Sequence, residues 1–446
     1  MSTAPLDGFA CPQETVTPRT VSEAWWRPVR VTPMPSAEQP AGRIAFGALI
    51  VFTSILILSP QAWFPVFRSL RIALLAAGVA IVAHLLDSVV LRRAGTQTHA
   101  EVAIALGLAA WAIVTVPLSY WPGGSVEVLT DLFLKAIVFF WLIGGVVTTP
   151  ARLRTFLRLL VICSIPLAVT AIRNYQSGVF VEASTRIAGY DASGLTANPN
   201  DMALMLNLMI PFAAALVAIE RGVWWRLVAA AALALSAAAV VITFSRAGFL
   251  TLVATGIVGL VTLARRRPLI GVLAVLTLSA SPLLLPQGYL ARLSTITNIE
   301  SDPTGSAQGR WGDLVVAADL VVRNPLTGVG LGQNVLALNQ ERGATWREVH
   351  NVYLQYAVDL GVPGLALFLW LFAALFRAAG RVRRQGTFDV TFRDVGIVAG
   401  SVQVGLMAFA VAAVFHPVAY QFYFFFVAGV ALAVKNVSRA TVARLA

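Results

Sequence analysis

Charge is what this sequence has least of. Asp, Glu, Lys and Arg make up 12% of its 446 residues, against roughly 25% in soluble domains. Cysteine is almost missing as well. Cys11 lies in a polar N-terminal stretch and Cys163 in an apolar run, so neither a disulfide framework nor a thiolate metal site is expected. No Gly-rich phosphate loop with a following lysine occurs, and no His-Glu-x-x-His or Asp-x-Asp. ATP hydrolysis and metal catalysis are therefore poorly supported, and no cofactor is expected. The N-terminus lacks a basic start, an early apolar core and a small-residue cleavage site, so a cleaved signal peptide is not expected either.

What fills the chain instead is apolar sequence. Hydrophobic residues are 58% of it and the mean hydropathy is +0.78. Apolar runs fall at about 44–60, 72–91, 101–118, 131–148, 156–173, 202–220, 224–243, 247–264, 269–285, 351–376, 395–415 and 417–435. Each approaches the length that crosses a hydrocarbon core. The expectation is an all-α integral membrane protein with about twelve spans. Residues 1–42, rich in Pro, Ser, Thr and Glu, read as a disordered tail. Spans one to nine occupy 43–285, a long loop 286–349, the last three spans 350–436, and a short tail 437–446.

A net charge of +12 would suggest nucleic acid in a soluble protein. In a membrane protein, basic residues instead mark cytoplasmic loops. Arg92 and Arg93, Arg152 to Arg158, Arg265 to Arg267, and Arg377 to Arg393 fall on alternate loops. Both termini are thus expected in the cytoplasm, with no nucleic-acid partner. The 286–349 loop is then on the outer side, where Trp311 to Val322 carries Leu314, Val315, Ala318 and Val322 at helical spacing. Asp313 and Asp319 are expected on another face, giving an interfacial helix or one packed over the bundle.

Four outer positions could carry chemistry. Arg246, in Thr243-Phe244-Ser245-Arg246-Ala247-Gly248, separates two apolar runs with no room for a loop. It reads either as an arginine snorkelling to lipid phosphate or as an anion clamp, since guanidinium binds phosphate in bidentate fashion. Arg310, in Gly309-Arg310-Trp311, and Arg186, in Thr185-Arg186-Ile187-Ala188-Gly189, read as solvated loop arginines or as further anion ligands. His350 opens the tenth expected run. It is a helix-capping histidine or a general base, because imidazole titrates near neutral pH. Asn351, Tyr353 and Gln355 add hydrogen-bonding groups beside it, and His416, next to Pro417, is a weaker alternative base. Lys135 binds anion or snorkels. Several arginines and one histidine on the outer face suit a lipid-linked phosphate or diphosphate, with activation stored in the lipid rather than in ATP.

The stretch Gly328-Val329-Gly330-Leu331-Gly332, followed by His350-Asn351-Val352-Tyr353-Leu354-Gln355 and Gly361-Val362-Pro363-Gly364-Leu365, resembles the O-antigen ligase and O-antigen polymerase superfamily. Ser245-Arg246-Ala247-Gly248 and Gly309-Arg310-Trp311 fall where that family carries its other motifs. The resemblance covers 186–376 in motif and the whole chain in layout. It implies a metal-independent, inverting glycosyltransferase of the GT-C-like membrane type in a bacterial inner membrane. The donor would be a glycan on undecaprenyl diphosphate at the periplasmic face. By the resemblance, His350 would activate the acceptor hydroxyl, Arg246 and Arg310 would hold the diphosphate, and Arg186 would assist. The acceptor would be a lipid A-core, as in lipopolysaccharide, or a second lipid-linked repeat, as in O-antigen, capsule or exopolysaccharide. An exporter of lipid-linked sugars is the rival reading. It calls for polar groups along the midplane and repeats between halves, whereas the polar residues here gather at one face. A membrane polymerase with an acidic catalytic residue would need Asp191, Asp201 or Glu348.

Overall fold

The computed structural model describes residues 42–64, 66–89, 100–181, 186–190, 194–264 and 305–445. The expected tail, the expected span at 269–285 and the first part of the long loop lie outside them. Among the described residues the chain is helical, apart from one isolated antiparallel bridge between Phe180 and Ile187. The principal helices are α1 (Arg43–Leu58), α2 (Ile72–Val89), α3 (Ala100–Thr115), α4 (Leu134–Val146), α5 (Pro150–Gln176), α6 (Pro199–Ile219), α7 (Val223–Ile242), α8 (Arg246–Ala264), α9 (Ser306–Arg323), α10 (Asn334–Arg342), α11 (Val352–Phe388), α12 (Arg393–Ala412) and α13 (Phe422–Leu445).

This is an α-helical membrane protein. Seven described helices are long and apolar enough to cross a membrane, and three shorter helices are also apolar. The surface agrees. Leu74, Leu75, Val82, Ile113, Val114, Trp224 and Leu227 all stand exposed, a pattern that water would penalise and lipid would not. Inside, α6, α12 and α13 are covered by α4, α5, α7, α8 and α11. An aromatic core of Phe133, Phe139, Phe140, Phe212, Phe368, Phe424 and Phe425 fills the middle. Two ion pairs tie helices together. Arg158 grips Glu220 through two bonds of 2.8 and 2.7 Å, and Lys435 meets both oxygens of Glu101 at 2.8 and 2.5 Å.

The break in α11 positions the site. Pro363 has no N–H, so the Asp359 carbonyl four residues earlier loses its helical partner. Gly361 takes φ 69° and ψ −176°, a conformation open to glycine. The orphaned carbonyls are satisfied from outside the helix. Val329 N–H donates to Val358 O at 2.8 Å, Gly330 N–H to Asp359 O at 3.0 Å, and the Trp111 indole to Leu360 O at 2.8 Å. Val362 N–H donates in turn to Pro325 O at 2.8 Å. The Gly-Val-Gly-Leu-Gly segment is therefore a backbone partner for a broken helix. Gly330, at φ 107°, lies so close to Ser119 that a side chain would collide.

Beneath this contact sits the fully buried carboxylate of Asp359. It accepts from the Asn334 backbone N–H at 2.8 Å, from the Asn334 amide at 3.2 and 3.0 Å, and from the Tyr420 hydroxyl at 3.0 Å. Asn334 then accepts from Val349 N–H at 3.0 Å, one residue before His350. Replacing Asp359 with alanine strands these donors at roughly 1–3 kcal/mol each. The expected result is a fall of several degrees in thermal unfolding in detergent, with Asp359→Asn losing less.

The helix over the bundle differs from the sequence expectation. It starts at Ser306 rather than Trp311, and its buried face carries Asp313, Ala317 and Leu320, while Trp311, Val315 and Val322 face outward. Asp313 is on the covered face because its counter-ions are there: it pairs with Arg342 and stands 4.0 Å from Arg347. The outward apolar stripe leaves the helix amphipathic in the sense expected of an interfacial element.

Candidate functional site

His350 is placed by backbone bonds on both sides. Asn351 caps α11, its side-chain oxygen accepting from Leu354 N–H at 3.0 Å, and Val352 N–H donates to Ala413 O at 2.7 Å. Asparagine at this position satisfies a helix N–H that would otherwise lack a partner. The Tyr353 hydroxyl donates to Ala410 O at 2.9 Å. Gln355 accepts from Ala419 N–H at 3.1 Å and donates to the Glu348 carboxylate at 3.5 Å. The three residues that the sequence puts beside His350 thus hold the start of the helix.

The ring of His350 has a defined tautomer. Nδ1 lies 2.8 Å from the Glu348 carbonyl oxygen, which can only accept. Nδ1 therefore carries the hydrogen, and in the neutral ring Nε2 keeps its lone pair. Burial, the charge of Arg310 and, to a smaller extent, those of His416 and Arg347 push the imidazole down to about 4, against a partial lift from the Glu348 carbonyl. His350 is neutral at pH 7 and able to accept a proton.

Arg310 occupies the first turns of α9. Beside it, Gly309 is packed under the Arg347 guanidinium, so a side chain at Gly309 would strike it. Arg347, held near Asp313, is a cation of this cluster that the sequence reading left among the loop residues. His416 is buried, with Nδ1 2.9 Å from Ala412 O and Nε2 3.3 Å from Asn200 O. Its pKa is lowered by burial, raised by these carbonyls and lowered by Arg310. With both nitrogens turned to backbone carbonyls, His416 presents no open ring nitrogen to a substrate hydroxyl, as His350 does.

Arg246 and Arg186 form a second cationic group. The Thr-Phe-Ser-Arg segment makes a tight reversal in which Phe244 takes φ 54° and stacks on Tyr175 with ring centroids 6.1 Å apart. Ser245 Oγ accepts from Gly248 N–H at 3.1 Å, and Gly248 packs directly on Ala203. Asn207 locks the two helices, donating to Gly248 O at 3.0 Å and Ala203 O at 2.9 Å. Arg246 is the first residue of α8, where the helix N-terminus already favours anions. Arg186 is placed by backbone bonds: Val181 N–H donates to Arg186 O at 2.8 Å and Ala188 N–H to Val179 O at 3.0 Å. Burial and the neighbouring charge of Arg246 lower its pKa. A bound anion would relieve that repulsion.

The two groups share the first turns of α6. Asn200 touches His416, and Ala203 and Asn207 touch the start of α8. Glu348 and Asp201 are near enough to influence each other, so the site also contains carboxylates.

Residues 231–369 match a family model described as O-antigen ligase. The match bears out the superfamily resemblance carried by the motifs. Arg246, Arg310 and His350 lie within the matched segment, while Arg186 precedes it. So do the Gly-Val-Gly-Leu-Gly segment and the broken part of α11, which hold its geometry together. No curated protein matches the chain.

Lys135, the remaining candidate, is exposed and pairs with Asp131 at 2.9 Å. It is the second residue of α4.

Proposed function

We propose that the protein is a glycosyltransferase that moves a glycan from undecaprenyl diphosphate to an acceptor hydroxyl at the periplasmic face of a bacterial inner membrane. The observation that carries this reading is the neutral His350, its Nε2 lone pair available, beside Arg310 in the O-antigen ligase segment. Nε2 takes the proton of the acceptor hydroxyl as its oxygen attacks the anomeric carbon. The bond from that carbon to the diphosphate breaks, and the diphosphate leaves with the electron pair. Arg310 and Arg246, with Arg186 in support, neutralise the charge that develops on it. Attack opposite the leaving group inverts the anomeric configuration, and no step requires a metal. The lipid enters between helices of a bundle of about twelve spans, of the GT-C-like type.

The sidedness is tested by fusion reporters. A periplasm-dependent reporter inserted near Gly305 is expected to be active and one near Gln385 inactive. The reverse pattern would move the site to the cytoplasm and contradict the donor assignment. The acceptor is tested in proteoliposomes holding the lipid-diphosphate glycan and either a lipid A-core or a second lipid-linked repeat. Transfer to the first identifies a ligase, chain growth on the second a polymerase, and transfer to neither overturns the proposal.

A further inference from the structure

A cleft of about 490 Å³ opens between α3 and α11, lined by Ile104, Gly107, Leu367, Trp370, Arg377 and Arg381 among others. Its size falls in the range of small-molecule sites, roughly 300–1,000 Å³. It does not belong to the site around His350. Arg377 lies well beyond the break at Gly361, after roughly 24 Å of further helical rise.

The charge at its mouth is one-sided. Arg377 and Arg381 are one helical turn apart, both exposed, and neither makes an ion pair among the described residues. Glu101 also lines the cleft, but both of its oxygens are bound by Lys435. The nearby carboxylate is therefore already neutralised. The remaining walls are apolar, and Trp370 is 59% exposed on the outer surface of the bundle. An occupant matched to this cleft has an acyl chain for the walls and an anionic phosphate for the guanidinium pair.

We propose that the cleft binds an anionic phospholipid, its phosphate between Arg377 and Arg381 and one chain lying along Gly107 and Trp370. The cleft then serves as a lipid site at the end of the bundle opposite His350. Apolar surface accounts for the chain, and the two arginines account for selection against neutral lipids. The space beside Gly107 is open, since a Cβ there would meet nothing within 4 Å.

The test uses the full-length protein in mild detergent, mixed with phosphatidylglycerol or phosphatidylcholine and read by native mass spectrometry. Phosphatidylglycerol is expected to stay bound where phosphatidylcholine does not. The double variant Arg377→Gln/Arg381→Gln is expected to hold it about 30-fold more weakly, the effect of two interfacial charges. Gly107→Phe, which fills the passage and leaves both arginines, is expected to displace it as well. Gel filtration and helical content establish that each variant is folded. Undiminished retention in either folded variant, or displacement by inorganic phosphate, would overturn the proposal.

Discussion

Replacing His350 with alanine is expected to lower glycan transfer by about 10²–10⁴-fold, the usual contribution of a positioned general base. The helix bundle should remain folded. Among the described residues the His350 side chain makes one hydrogen bond, from Nδ1 to the Glu348 carbonyl. The start of α11 is held by Asn351, Tyr353 and Gln355, which the substitution leaves in place. Donor binding should change little, because the groups assigned to the diphosphate are arginines. The expected signature is a fall in kcat at nearly constant KM. Titrating transfer by the purified variant against donor concentration checks this, and retained turnover would remove the base from His350.

Arg310→Gln is expected to cost about 10²–10³-fold in transfer, as loss of one preorganised charge-stabilising donor does. It should also move the pH profile. Transfer needs His350 neutral, so activity is lost on the acid side as the imidazole protonates. In the free protein that limb of kcat/KM is expected near pH 4, because burial and then Arg310 hold the imidazole down to about 4. Removing the positive charge raises the imidazole pKa, so the acid limb should shift to higher pH. Bound diphosphate offsets the same charge. In the unsubstituted protein, therefore, the limb of kcat should lie above that of kcat/KM. An unmoved limb in Arg310→Gln would mean that the two residues do not act on each other during transfer.

Much of the fold is legible because apolar periods over about twenty residues leave few alternatives to membrane helices. Basic residues that interrupt them fall at helix starts, as at Arg152 in the first turn of α5 and Arg393 at the first position of α12. The break in α11 is harder to read. Gly361 and Pro363 announce it, but a continuous helix with a kink fits the same letters. Its resolution depends on carbonyl partners supplied by Val329, Gly330 and Trp111, which are distant in sequence. The same limit explains the buried face of α9. Spacing alone favours Leu314, Val315, Ala318 and Val322, whereas Arg342 and Arg347 draw Asp313 inward.

The site shows a parallel division. His350 and Arg246 stand out as polar residues at the ends of apolar runs, where such groups are functional candidates, and Arg310 and Arg186 as loop arginines expected on the same face. The structure sorts them into two groups at the start of α6. Arg347 carried no signal beyond its charge, since its place against Gly309 and Asp313 is a tertiary fact. Asp359 did carry a signal, as an acid inside an apolar helix. Its partners, Asn334 and Tyr420, explain it as the brace behind Val349 and His350.

The central claim is that a glycosidic bond forms at this site at the expense of the lipid diphosphate bond. It is tested most directly by supplying purified protein in liposomes with the lipid-diphosphate glycan and an acceptor, under chelator. The bonds formed and the lipid diphosphate released are both counted, and the anomeric configuration of the product is determined. The account predicts one released diphosphate for each bond, with inverted configuration. Movement of intact donor across the bilayer with no bond formed would contradict it and indicate an exporter.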